Sequence, residues 1–93
     1  MRAINSRKAL KEINRLCKRR GIKFEIEPGR GHGSHKGLRF RDPASGQEVG
    51  TVIPGHKEIS PGVQRAVIEY FGGIAPRVAL ANIVRSILQE VFG

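Results

Sequence analysis

Ninety-three residues with 17 Lys or Arg against 8 Asp or Glu give a net charge of +9 and a pI near 10.9. A chain this short makes one domain with a modest core and has no room for a large cofactor site. The single Cys17 excludes an internal disulfide and every multi-cysteine zinc pattern, and residues 1–20 are too polar for a signal peptide. No stretch is apolar and long enough to span a bilayer, and a cytoplasmic location is expected.

The charge is concentrated at the start. Residues 1–20 hold eight Lys or Arg against one acid, Glu12, a net +7 of the chain's +9. Over residues 6–20, Leu10, Ile13, Leu16 and Cys17 recur at three- and four-residue spacing, which predicts a helix with one apolar stripe. Asn5 or Ser6 can cap its start, and Gly21 suits its end. Arg7, Lys8, Lys11, Arg15, Lys18 and Arg19 fill the remaining surface. A basic surface gathered on one helix is the footprint of a polyanion binder, and nucleic acid is the expected partner. A basic helix can also lie on an anionic membrane, but this one lacks exposed aromatics. Cys17 lies on the apolar stripe, so its expected role is packing.

Residues 22–27 alternate. Ile22, Phe24 and Ile26 face one way, and Lys23, Glu25 and Glu27 face the other, as in a half-buried strand. A glycine-dense stretch follows over residues 28–37, PGRGHGSHKG. A second alternation sets Leu38 and Phe40 against Arg39 and Arg41. The period of two places His35 with Arg39 and Arg41 on an exposed, basic face, unless Gly37 hosts a bulge. Residues 42–46 read as a turn. Residues 48–53 read as a third strand with apolar residues on both faces, so its core side stays open. Short links favour an antiparallel meander. Ser60 and Pro61 suit the start of a helix that ends near Phe71 at Gly72-Gly73, with Val63, Ala66, Val67, Tyr70 and Phe71 as candidate core residues. A last helix begins near Pro76, with a wide stripe of Leu80, Ile83, Val84, Ile87, Leu88 and Val91. Intramolecular packing and self-association are both open for it.

The chemistry rests first on His35. Its imidazole can take a proton from a ribose 2′-hydroxyl or give one to a leaving 5′-oxygen, and RNA brings its own nucleophile, so no metal or other cofactor is required. Arg39, Arg41 and loop amides are candidates for holding the phosphate. His32 and His35, with His56, have a spacing compatible with a metal, but no acid or cysteine completes the set. The loop is not a dinucleotide fingerprint, because a strand follows it where that motif needs a helix.

The ordered motifs Gly33-Ser34-His35, Thr51-Val52-Ile53-Pro54, His56, Lys57-Glu58-Ile59 and Gly62 resemble HicA-type toxins of toxin–antitoxin systems over about residues 6–73. The resemblance implies an α+β, α-β-β-β-α fold like a double-stranded-RNA-binding domain, with a three-stranded antiparallel sheet and the helices on one face. It implies an mRNA endonuclease with His35 as the catalytic histidine, neutralised by a HicB-like antitoxin. Ser34 and His56 fall on family motif positions. With Arg7, Lys8, Lys11, Arg15, Arg39, Arg41 and Lys57, they make up the expected RNA-binding set. Val63-Gln64 stands where the family often has Thr-Leu. Residues 1–73 form the HicA-like domain on this reading, and residues 74–93 are a helical extension that packs on it or mediates a homo-oligomer. The alternative is a non-catalytic module of the same fold that binds duplex RNA by shape.

Overall fold

The computed structural model describes residues 2–28, 35–55 and 57–93. After a two-residue strand β1 (Ile4–Asn5), helix α1 runs over Ser6–Arg19. The Asn5 side chain caps it by accepting the Lys8 N–H at 3.1 Å. Its end is a Schellman motif: Gly21 takes φ +70° and donates to the Lys18 carbonyl, and Ile22 donates to the Cys17 carbonyl at 2.9 Å. Ala9, Leu10, Ile13, Leu16 and Cys17 are buried. Burial pushes the Cys17 thiol up to about 11, so this residue is a packed core group and not a thiolate nucleophile.

Strands β2 (Lys23–Pro28), β3 (His35–Arg41) and β4 (Glu48–Pro54) form the expected antiparallel meander in the order β2-β3-β4. Pairing between β3 and β4 is one-to-one from His35↔Pro54 to Arg41↔Glu48, and Gly37 sits opposite both Glu27 and Val52 without a bulge. The core side of β4 is thereby settled. Ile53 is buried, Val49 packs against the core, and Val52 is 44% exposed. Gly50 has a packing reason to be glycine. A Cβ there would stand 2.9 Å from the Leu38 carbonyl oxygen of the neighbouring strand. Gly50→Ala is expected to push β4 from β3 and cost about 1–3 kcal/mol; a urea midpoint equal to that of the parent protein would refute this.

The chain then forms a two-residue strand β5 (Glu58–Ile59), which pairs with β1 through Ile4↔Ile59 and Asn5↔Glu58. Sequence alternation does not anticipate this small sheet, because two residues are too few to show a period. Helix α2 (Pro61–Ile74) starts as expected, with the Ser60 hydroxyl accepting the Val63 N–H at 3.2 Å. It does not stop at Phe71. Neither Gly72 nor Gly73 takes a positive φ, and the Arg85 side chain lies over Gly72, with Cδ 3.5 Å from where a Cβ would be. Ala66 and Tyr70, expected in the core, are exposed, and Gln64 is buried instead. Helix α3 (Ala79–Phe92) follows a tight turn in which Arg77 and Val78 both donate to the Ile74 carbonyl. Its own N-cap residue, Val78, has no capping side chain. Gln47, from the β3–β4 turn, accepts the Leu80 N–H at 3.0 Å in its place.

The fold is therefore α+β, with the expected α-β-β-β-α order and a C-terminal helix. The inward face of the sheet meets the helices: Phe40 lies 5.1 Å from Phe24 and edge-on to Phe71 at 6.0 Å between ring centroids. Leu80, Ala81, Val84, Ile87, Leu88 and Phe92 of α3 are buried in the same core, where α3 contacts α1, α2 and β4. The last helix thus packs within the domain's core. No helix among the described residues is long and apolar enough to cross a membrane.

Candidate nucleic-acid interface

A set of buried polar contacts gathers several expected site residues at one end of the sheet. Ser6, the first residue of α1, is fully buried. Its N–H donates to the Lys57 carbonyl at 2.9 Å. Its hydroxyl lies against the carbonyls of Pro54, at 3.1 Å, and of Lys57. The Gln64 amide donates to the Ile59 carbonyl at 2.8 Å and to the Arg2 carbonyl. These bonds hold together the start of α1, the end of β4, the segment before α2 and the first turn of α2. His35 joins them because it pairs with Pro54. Ser6→Ala would remove a fully buried hydroxyl from the Pro54 and Lys57 carbonyls and is expected to cost about 1–3 kcal/mol. Thermal unfolding measures it, and an unchanged midpoint would show that the clip is dispensable.

Sequence reasoning missed Gln64. Its signal was present: residues 64, 67, 68 and 71 share one helical face, and all but Gln64 are apolar. The polar side chain is accommodated inside because its amide donates to the Ile59 carbonyl of β5 and to the Arg2 carbonyl ahead of β1.

His35 is exposed and opens β3 on the same face as Arg39 and Arg41, as alternation predicts. That face is not basic, however. Arg39 lies opposite Glu25 and forms an ion pair with Glu27 at 3.1 Å, while Arg41 lies between Lys23 and Glu48. Opposite charges are set across the strands, where such pairs stabilise a sheet. Spacing adds a second correction. At about 3.3 Å per residue, Arg39 is roughly 13 Å and Arg41 roughly 20 Å along the strand from His35. Both share its face without sharing its site.

The exposed cations of α1 answer better to the expected role. Arg7, Lys8, Lys11, Lys18 and Arg19 are exposed and take no part in the ion pairs among the described residues. Arg15 differs: its guanidinium is 2.9 Å from Glu12, and that hydrogen bond holds the Glu12 carboxyl below the usual carboxylate range. Arg20 reaches Glu90 at 3.4 Å. The first turns of α1 and α2 contain no acid. Arg7 and Lys8 thus sit at the positive end of the α1 dipole, an arrangement that favours a bound anion.

Lys57 is exposed beside this end of the sheet. Gly33, Ser34, His32 and His56 lie outside the described residues, and no group of three or more His, Cys, Asp or Glu suited to a metal occurs among the described ones. Backbone pairing and hydrogen bonds thus link the strand position of His35, the Pro54 and Lys57 carbonyls, the start of α1 and the α2 entrance, while Arg39 and Arg41 lie further along the strand. No family model matches the chain, and neither a curated protein nor a solved structure is significantly similar to it.

Proposed function

We propose that this protein binds RNA through the cationic face of α1 and the adjoining end of the sheet, and cleaves it with His35 as the acid–base group. The observation that carries the reading is the exposed imidazole at the start of β3, tied through Pro54 and Ser6 to the acid-free, basic first turn of α1. In the reaction the ribose 2′-oxygen attacks phosphorus and the P–O5′ bond breaks. A 2′,3′-cyclic phosphate and a 5′-hydroxyl result. His35 takes the 2′-hydroxyl proton while a water molecule protonates the departing 5′-oxygen, or His35 protonates the 5′-oxygen while water takes the 2′-hydroxyl proton. The α1 cations and helix-end amides offset the charge on the phosphoryl oxygens. The resemblance to HicA-type toxins supports the same reading. On that resemblance the protein is an mRNA-cleaving toxin with a HicB-like antitoxin.

The test is incubation of purified protein with labelled RNA in the presence of a chelator, followed by analysis of the product ends. New cyclic-phosphate ends that depend on His35 support the proposal. RNA that is bound, with affinity falling steeply as salt rises, yet never cut assigns the protein to non-catalytic binding.

A further inference from the structure

We propose that the groove between α1 and the inward side of β2 and β3 holds one unstacked nucleotide of a single-stranded RNA. The inference rests on the RNA-binding part of the function proposed above and names the form of RNA recognised. Alternation puts Ile26 on the inward face of the sheet, but α1 does not cover it, and it remains 41% exposed. Lys36, also on the inward face, ends the same corner. A groove of about 400 Å³ is left open there. Leu10, Phe24 and Ile26 give it apolar surface, and Arg7, Lys11 and Lys36 add three cations, with Asn14 between the two kinds. No acid lines it.

Each part matches one part of a nucleotide. The apolar surface, with the Phe24 ring, suits a base, and stacking on an aromatic side chain accepts any base because every base has a π-face. Asn14 has both a donor and an acceptor for a base edge. The cations suit the phosphates on either side. The volume lies at the small end of ligand sites, enough for a nucleotide and too small for a partner helix. A base inside a duplex cannot reach such a floor, whereas a splayed base of a single strand can. Lys36 follows His35 in β3 and points to the opposite face, so a strand passing around the end of the sheet reaches both the groove and the imidazole.

The test uses the full chain with His35→Ala, so that the RNA stays intact, and adds Ile26→Ser. Fluorescence anisotropy at one fixed salt concentration compares a single-stranded oligonucleotide with a duplex of the same sequence. A 4-thiouridine-substituted strand is photocrosslinked to the His35→Ala protein that keeps Ile26, and the labelled peptide is mapped. The expected result is a loss of about fivefold or more in single-strand affinity, with duplex affinity within about twofold and crosslinks at Phe24 or Ile26. Equal losses for both RNAs, no loss for either, or crosslinks confined to other elements would overturn the proposal. So would an acidic peptide whose binding is weakened by Ile26→Ser when RNA binding is not. Wild-type protein that binds the single strand in this way but never cuts it would remove the nuclease reading and leave the groove standing.

Discussion

His35→Ala is expected to lower RNA cleavage by about 10²–10⁴-fold, the usual contribution of a positioned acid or base. Affinity for the same RNA should change by less than about threefold, because the proposed binding surface lies mainly on α1. The two readouts separate chemistry from binding. His35 is exposed at the first position of β3, so its replacement leaves the buried core intact. Register is held further along by Leu38 and Phe40, which are buried. Arg39→Ala provides a contrast. Its ion pair with Glu27 and its distance along the strand predict less than about a threefold change in rate. A His35→Ala protein that folds and cuts at the parental rate would dismiss the imidazole. A hundredfold loss in Arg39→Ala would mean that Arg39 shares the reacting site with His35 after all.

Ending the chain after Gly73 is expected to abolish cooperative folding. Helix α3 contributes six buried residues, including Leu80, Ile87, Leu88 and Phe92, to the one core. Large apolar side chains stabilise by about 1.5–3 kcal/mol each when fully buried. Their sum is comparable to the roughly 5–15 kcal/mol that a domain of this kind has in total. Truncation also uncovers apolar surface on α1 and α2 that α3 packs against. The milder variant Leu88→Ala should cost about 2–5 kcal/mol by leaving a cavity, read as a lowered urea midpoint with an unchanged slope. A truncated chain with a cooperative transition near that of the full chain would show that residues 74–93 are an appendage.

Elements whose signals are local are legible in the chain itself. Apolar spacing, Asn5 before the helix and Gly21 after it specify α1 to within a residue. Strand alternation specifies which of Leu38, Phe40, Arg39 and Arg41 face inward, and it places His35 outside. Ser60-Pro61 marks the start of α2, because capping and a fixed proline φ act within one turn. The basic character of α1 is a matter of counting.

Other features depend on residues far apart in the chain, and only the folded arrangement decides them. Register determines that Glu25, Glu27 and Glu48 stand across from the strand arginines, which changes a face read as basic into a mixed one. The β1–β5 pairing draws Gln64 inward and so turns Tyr70 outward on the same helix. Helix α2 runs on through Gly72 and Gly73, neither of which takes a positive φ, and the Arg85 side chain of α3 lies over Gly72. The candidate site belongs to this second kind. His35 is visible as a residue in the sequence, but its neighbours are assembled by Ser6 and Pro54, 48 positions apart, because a buried hydroxyl must find a partner.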